Sequence, residues 1–180
     1  MNMMKPYLVG LLFGDGTSYL AKNKAYSVWI DQHERNSKIA ERAKLEFEGI
    51  GLKVHYYAYG NKVRALVYSK KTYLEFLKIR ADPVKYFKKL GPRGKLEFIS
   101  GLFDAEGTVT DRLVLYNGHI GILQEIQSFI AEKINVTGHV YRYGKICGLQ
   151  IYKKDHIKAF INKTNSIKVR SSRLKNLGDC

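Results

Sequence analysis

The sequence predicts an α+β fold built from two tandem copies of an αββαββα unit. The first observation is an internal repeat, because the segment 8–16 (LVGLLFGDG) returns as 99–107 (ISGLFDAEG), 91 positions later. The second is that strand-like and helix-like stretches follow each copy in the same order. Antiparallel hairpins joined by helices place the helices on one face of each sheet. The other face is left for solvent or a ligand.

Each element of the first half is predicted from local pattern. A hairpin over Tyr19–Ile30 turns near residues 22–24, and Gly51 ends the helix that follows it. Gly60-Asn61 supplies the turn of the second hairpin. The predicted elements in order are the hairpin over Tyr19–Ile30, a helix with Ile39, Ala43, Phe47 and Ile50 on its buried face, the strands Val54–Tyr59 and Lys62–Tyr68, and a helix over Lys70–Arg80 with Tyr73, Leu74 and Leu77 packing inward.

The second half repeats this order with a shorter first hairpin. We expect about seven fewer residues there, because the later joints of the two halves lie 84 positions apart rather than 91. The linker is predicted over 82–95, and the domains over 1–91 and 92–180. The predicted elements are a strand region over Thr108–Asn117, a helix over Leu123–Ile134, a hairpin of His139–Tyr143 and Ile146–Tyr152, a helix over Asp155–Lys163, and a basic tail over Lys168–Lys175.

The charge of the chain points to a polyanionic partner. There are 31 Lys and Arg residues against 16 Asp and Glu, a formal charge of +15. An anionic membrane is the second candidate, but no apolar run reaches the roughly 20 residues of a spanning helix. Cys147 and Cys180 form no disulfide framework or metal-binding spacing. We expect an intracellular protein, cytoplasmic in a prokaryote or organellar, that is not secreted.

Asp15 and Glu106 are the strongest candidates for chemistry. Each stands at the predicted end of a repeated helix, before a glycine that can take the left-handed cap conformation. The small residues Gly10, Gly14, Gly101 and Ala105 let these two helices approach closely. Carboxylates at two neighbouring negative helix ends are electrostatically unfavourable, and they suit a divalent-cation site. Asp104 and Asp111 are weaker candidates, and Asp104 is predicted to be a surface acid.

The repeated segments resemble the paired motifs of the LAGLIDADG homing endonucleases, specifically the single-chain, pseudo-symmetric members. The resemblance covers nearly the whole chain. At one motif position the family often has an acid, which the second copy keeps as Asp104 and the first copy replaces with Phe13. It implies two antiparallel sheets that form a saddle on duplex DNA, with the helices on the opposite face. It further implies a metal site of Asp15 and Glu106 with Gly14 and Ala105 beside them. Roughly two or three Mg²⁺ ions would bind there, with Mn²⁺ or Ca²⁺ able to replace Mg²⁺ for binding.

Four more residues are assigned to the catalytic centre by the resemblance. Gln32 matches the polar residue that the family places where the first hairpin meets the next helix, and Asn117 is its partner in the second half. Lys71 and Lys154 match a basic residue after the second hairpin. A lysine near the scissile phosphate could stabilise developing charge. Lysines that simply begin surface helices are an equally good interpretation of both positions.

The outer faces of the predicted sheets carry the candidates for DNA contact. Alternation puts Val63, Ala65 and Val67 toward the helices and Arg64 outward. Arg64 suits guanine and Gln150 suits adenine in the major groove, while most cations contact phosphates. The full set is Lys22, Lys24, Tyr26, Tyr56, Arg64, Tyr68, Arg112, His139, Tyr141, Arg142, Tyr143, Gln150 and Tyr152.

These observations predict a monomeric, Mg²⁺-dependent endonuclease that cuts both strands of a long, specific double-stranded DNA site. The resemblance implies cleavage across the minor groove with short 3′ overhangs. Two alternatives keep the fold: a maturase that binds intron RNA and assists splicing, and a catalytically inactive DNA-binding regulator. The presence of both acids argues against the regulator.

Overall fold

A computed structural model describes residues 3–22 and 24–168 of the chain. The first half comprises α1 (Pro6–Asp15), β1 (Gly16–Leu20), β2 (Tyr26–His33), α2 (Ser37–Glu48), β3 (Val54–Tyr59), β4 (Lys62–Tyr68) and α3 (Lys70–Ala81). After α4 (Pro83–Lys89), the second half comprises α5 (Pro92–Glu106), β5 (Gly107–Val109), β6 (Leu113–Tyr116), α6 (Ile120–Ile134), β7 (His139–Tyr143), β8 (Ile146–Ile151) and α7 (Lys154–Lys163). The predicted α+β fold of two αββαββα units is confirmed.

The strands form two four-stranded antiparallel sheets with the same topology. Their orders are β1-β2-β4-β3 and β5-β6-β8-β7. Gly16 pairs with Ile30 in the first sheet, and Gly107 pairs with Leu115 in the second, so the strand that follows each acid begins at the matching point of its sheet. The shorter hairpin of the second half is confirmed. β5 and β6 have three and four residues where β1 and β2 have five and eight.

The two halves share one hydrophobic core, which is centred on the packing of α1 against α5. A Cβ added to Gly10 would lie 2.9 Å from Leu102 N, and one added to Gly101 would lie 2.9 Å from Leu11 N. Both would come still closer to a carbonyl oxygen of the facing helix. These reciprocal contacts relate residues 91 positions apart, which is the pattern of a twofold interface. The backbones of α1 and α5 are therefore in direct contact, as the small residues of the repeated motif predicted.

The buried face predicted for α3 needs correction. Leu74 and Leu77 of α3 were expected in the core, yet they are 50% and 38% exposed. The buried stripe of α3 is Thr72, Phe76 and Ile79 instead. These residues lie at i, i+4 and i+7, a helical face rotated from the predicted one. Helical spacing alone does not choose between two overlapping apolar stripes.

The segment between the halves is more ordered than the predicted linker over 82–95. Pro83 begins α4, whose N-cap Asp82 accepts a hydrogen bond from Lys85 N, and Pro92 begins α5. A proline in the first turn of a helix is favourable because its missing N–H would be unpaired there in any case. No helix in residues 3–22 and 24–168 is long and apolar enough to cross a bilayer.

Candidate active site

Asp15 and Glu106 are the last residues of α1 and α5, as predicted. The glycines that follow them do not adopt the predicted left-handed conformation. Gly16 has φ −76° and ψ 140°, and Gly107 has φ −77° and ψ 147°, because each helix leads directly into a strand. Glycine is required at Gly16 for space, since a Cβ there would lie 2.6 Å from Leu12 Cα. The tight exit holds each acid at the junction of a helix and a sheet.

Both carboxyl groups have a raised pKa. For Asp15 the main cause is burial, partly offset by a hydrogen bond from Gln32 and the charge of Lys168. For Glu106 burial again comes first, the negative charge of Asp15 raises the pKa further, and Lys168 opposes both. The two acids therefore repel each other across the helix pair, as expected for carboxylates at adjacent negative helix ends.

The two predicted amide residues have different surroundings. Gln32 is buried at the end of β2, and its Nε2 donates to Asp15 Oδ2 at 2.5 Å. Asn117 is the equivalent residue of the second half. Gln32 lies two positions after Ile30, the partner of Gly16, and Asn117 lies two positions after Leu115, the partner of Gly107. However, Asn117 Oδ1 accepts a hydrogen bond from His119 N at 2.9 Å, in the turn that leads to α6. The structure thus brings Gln32 to an acid and uses Asn117 in a turn.

Lys71 and Lys154 do not lie where a lysine could act on the acids. Gln32 pairs with Val63, whereas Ser27 pairs with Tyr68 at the other end of β4. The joint that carries Lys71 is therefore roughly 17 Å along the sheet from the Gln32 end, since a strand rises about 3.4 Å per residue. Lys154 similarly follows Ile151, which pairs with Leu113 at the end of β8 away from Tyr116 and Asn117. The prediction failed because it ignored the direction of the strand that precedes each lysine.

Lys168 is the cation that the structure does bring to the acids, although its sequence context predicts only the first residue of a basic tail. Its Nζ donates to Ala105 O at 2.6 Å and to Gly107 O at 3.2 Å, on either side of Glu106. Burial lowers the pKa of Lys168, while the charges of Asp15, Asp104 and Glu106 raise it. No local motif marks this lysine, because it reaches the site through a fold-back after α7.

Asp104 holds this fold-back in place. The prediction of a surface acid is wrong, since Asp104 is completely buried. Its Oδ2 accepts from the Tyr7 hydroxyl at 2.7 Å, and its Oδ1 accepts from Ser166 Oγ at 2.5 Å and Lys168 N at 3.0 Å. Burial and the charge of Asp104 raise the pKa of Tyr7 well above its ordinary value, so the phenol remains a donor. One carboxylate therefore ties α1, α5 and the segment after α7 together.

The protein supplies only some of the oxygen ligands that a hard divalent cation needs. Asp15 and Glu106 provide carboxylate oxygens, the ligands that Mg²⁺ prefers. Among the described residues, no group of three or more His, Cys, Asp or Glu side chains could hold an ion. The Ala105 carbonyl oxygen already accepts a hydrogen bond from Lys168. A Cβ added to Gly14 would meet Ala105 Cβ and Glu106 Cγ, so this residue faces α5. A cation here would complete its coordination with phosphate oxygens and water, which is usual for Mg²⁺.

The outer sheet faces hold most of the predicted DNA-contacting residues. Val63, Ala65 and Val67 are buried against the helices, as are Cys147, Leu149 and Ile151 of β8. The opposite faces carry Arg64, Tyr68, His139, Tyr141, Tyr143 and Gln150, with Tyr152 following β8 in the same alternation. Lys22 and Lys24 lie in the β1–β2 turn and Arg112 lies in the β5–β6 turn.

Three of the predicted contacts lie on the other face. Tyr26 alternates with the buried Val28 and packs edge-to-face against Tyr73 of α3, with ring centroids 5.2 Å apart. Tyr56 pairs with the buried Ala65. Arg142 pairs with the buried Cys147, and its Nε donates to Gly144 O at 3.3 Å. Strand alternation assigns these three side chains to the helix side of their sheets.

Removing one acid should stabilise the metal-free protein. A carboxyl group whose pKa is raised by folding binds its proton more tightly in the folded state. Its ionised form therefore lowers the free energy of unfolding at pH values above its ordinary pKa, which is 3.8 for Asp15. We expect Asp15→Asn to raise Tm at pH 7 by about 1–4 °C without metal, in line with an unfavourable helix-end charge of roughly 0.3–1 kcal/mol. The gain should shrink as pH falls toward 4, as calorimetry at several pH values would show.

Asp111→Asn is the matched control for that measurement. Hydrogen bonds from Arg112 and Thr110 lower the pKa of this exposed acid to about 2. Its replacement removes the same charge without removing a destabilised carboxylate, so no gain in Tm is expected. An equal gain in both variants would mean that net charge, not the paired helix ends, determines stability.

Comparison with known proteins agrees with this architecture. Residues 93–165 match the family model of a LAGLIDADG-like domain. No curated protein sequence matches the chain. The resemblance stated from the sequence is therefore confirmed as a LAGLIDADG-like domain over residues 93–165, which contains the second copy of the repeated motif.

Among solved structures, the chain is similar to the homing endonuclease I-DmoI. The crystal structure of I-DmoI with DNA and Mn has a TM-score of 0.70 at 25% identity, with 94% of this chain and 97% of that chain covered. The I-DmoI complex with DNA and Ca has a TM-score of 0.69 at 24% identity, covering 94% and 90%.

A structure of full-length DUF199/WhiA from Thermatoga maritima has a TM-score of 0.62 at 11% identity, covering 94% of this chain and 60% of that chain. At this identity the likeness concerns the fold alone. The LAGLIDADG fold thus occurs in proteins of widely differing sequence, and the function of this chain has to be argued from its site.

Proposed function

We propose that this chain is a site-specific endonuclease that hydrolyses one phosphodiester bond on each strand of duplex DNA. One observation carries the proposal: Asp15 and Glu106 end two helices that pack backbone to backbone about a pseudo-twofold axis. Each acid leads into its own sheet, so each half can present one carboxylate to one DNA strand. Both acids belong to a single chain, which supports activity as a monomer.

The residues around the acids have distinct roles in this proposal. Asp15 and Glu106 hold the divalent cation, and Mg²⁺ bound there would activate water and stabilise the leaving oxygen. Gln32 fixes the orientation of the Asp15 carboxylate through its hydrogen bond. Lys168 fixes the peptide groups on either side of Glu106 and partly offsets the negative charge of both acids.

Duplex DNA is proposed as the substrate on the basis of charge and surface. The chain has a formal charge of +15, and the outer faces of both sheets carry tyrosine, histidine, arginine and glutamine side chains. I-DmoI, which has this fold, was crystallised with DNA and Mn or Ca. By analogy with the family, we propose cleavage across the minor groove with short 3′ overhangs and Mg²⁺ as the physiological ion.

A plasmid library with a long randomised insert tests the proposal. Incubation with the protein and Mg²⁺ should linearise a small fraction of plasmids, and sequencing of the recovered ends should give one consensus and the overhang. A chain that binds duplex DNA but linearises no plasmid would contradict the proposal and favour the inactive regulator. A chain that binds structured intron RNA in preference to any duplex would favour the maturase.

A further inference from the structure

The outer face of the first sheet carries a single acid. Asp31 is the only acidic residue in the eight strands of the described chain. It alternates with Ile30 and Gln32, which are buried toward the helices, so its side chain lies on the opposite face. On a surface proposed to meet phosphates, an unpaired carboxylate would be repelled. The neighbours of Asp31 explain why it can be there.

Arg64 lies directly across from Asp31 on β4, and the two side chains form a bidentate pair. Arg64 Nε donates to Asp31 Oδ1 and Nη2 donates to Asp31 Oδ2, both at 2.7 Å. The guanidinium carbon lies 4.8 Å from the ring centroids of both Trp29 and Tyr59. Arg64 is thus fixed by two hydrogen bonds and two aromatic rings, an orientation that a free surface arginine does not have.

The carboxylate of Asp31 is fully engaged in holding its neighbours. Besides Arg64, it accepts a hydrogen bond from Trp29 Nε1 at 3.3 Å. Burial acts to raise the pKa of Asp31, but the hydrogen bonds from Arg64 and its neighbours lower it overall, so Asp31 stays charged. Arg64 Nη2 lies 3.0 Å from the Tyr59 hydroxyl, which also interacts with Asp31. Tyr59 is 39% exposed, so a base edge can replace its hydroxyl as the partner.

The pairing favours recognition of a base over attraction of a phosphate. A phosphate contact depends on charge, and the charge of Arg64 is largely offset by Asp31. What the pair keeps is a guanidinium fork with a fixed direction. Fixed N–H groups suit the paired acceptors O6 and N7 of guanine in the major groove. Prior ordering also reduces the entropy lost when the contact forms.

We propose that Arg64 reads a guanine in the target, and that Asp31 is the positioning residue that makes this reading selective. The inference rests on the proposed DNA-cleaving function. It also predicts where the guanine lies. Arg64 adjoins Val63, which pairs with Gln32, the residue bonded to Asp15. The guanine should therefore lie in the inner part of one half-site, within a few base pairs of the cut.

Selection of DNA by binding, without cleavage, tests this inference. A library of randomised duplexes is selected in EDTA with the full chain, and then with Arg64→Lys and Asp31→Asn. Arg64→Lys keeps the charge but loses the fork. We expect one inner guanine enriched by the unmodified protein to lose about tenfold in preference in both variants, as expected for one bidentate base contact. Other enriched positions should not change.

Asp111→Asn is the matched control, because Asp111 also forms a bidentate pair, with its neighbour Arg112, but in the exposed β5–β6 turn. It changes net charge by the same amount as Asp31→Asn. Unchanged preference at every position in Arg64→Lys, or equal effects of Asp31→Asn and Asp111→Asn, would overturn the inference while the endonuclease proposal stands. If the unmodified protein enriches no sequence, the site-specific function itself fails, and the inference fails with it.

Discussion

Asp15→Asn or Glu106→Gln is expected to abolish double-strand cleavage of the target, with a loss of at least about 10³-fold. Each replacement keeps the size of the side chain and removes the charge that a divalent cation requires. Because the acids end two separate helices, loss of either one removes half of the paired site. The measurement is conversion of supercoiled plasmid bearing the selected target to nicked and linear forms in Mg²⁺.

Binding must be followed in the same variants, because a folded, DNA-bound and inactive protein is the expected product. Gel shift in Ca²⁺ should give an affinity for the target within a few fold of the unmodified chain. Asp111→Asn, which removes an exposed acid in the β5–β6 turn, should leave cleavage intact. Linear product formed by either acid variant at the rate of the unmodified protein would show that the metal assignment is wrong.

Gly101→Ala should lower the free energy of unfolding by about 3 kcal/mol or more, at the upper end of the effects of overpacking. The added methyl group would lie 2.9 Å from Leu11 N and closer still to Tyr7 O, and both are backbone atoms of the facing helix. Backbone cannot move aside as a flexible side chain can, so α1 and α5 would have to separate. For a chain of this length the loss corresponds to a fall in Tm of about 6–12 °C.

A second glycine of the same helix provides the control. A Cβ added to Gly94 would have its nearest neighbours at 3.5 Å, which is ordinary contact. Alanine is the better helix former by about 1 kcal/mol, so Gly94→Ala should leave Tm unchanged or raise it. Urea denaturation of both variants would separate the two effects. If Gly101→Ala were as stable as Gly94→Ala, the close backbone approach of α1 and α5 would be contradicted.

Elements with strong local signals were predictable from the sequence. The strands β3 and β4 have the predicted bounds, because Gly60-Asn61 marks the turn and the buried residues alternate on both sides of it. The ends of α1 and α5 at Asp15 and Glu106 were predictable from the repeat, because the motif occurs twice; their starts, Pro6 and Pro92, do not correspond in the repeat. Local periodicity and turn residues therefore predicted β3 and β4, and the repeat predicted that both acids end a helix.

Residues whose positions depend on tertiary structure were not predictable in the same way. The place of Lys71 after a hairpin predicts a position near the acids, but the register of β4 puts this joint at the end of the sheet away from Asp15. Lys168 reaches Glu106 only because Asp104 binds the segment that follows α7. Such long-range contacts leave no spacing pattern in the chain. Asp104 was assigned to the surface for the same reason, since its donors come from residues 62 to 97 positions away.

The buried contact between Tyr7 and Asp104 has a consequence for how such a protein can assemble. Tyr7 and Phe98 occupy equivalent positions of the two helices, as do Phe13 and Asp104, 91 positions apart in each case. The folded chain pairs Tyr7 with Asp104 and Phe13 with Phe98, whose ring centroids are 6.3 Å apart. A homodimer of the second half would instead set each Asp104 against Phe98, burying a carboxylate beside a ring that has no donor. The second half thus carries an acid whose phenol donor comes from the first half, which favours pairing with the first half over pairing with a copy of itself.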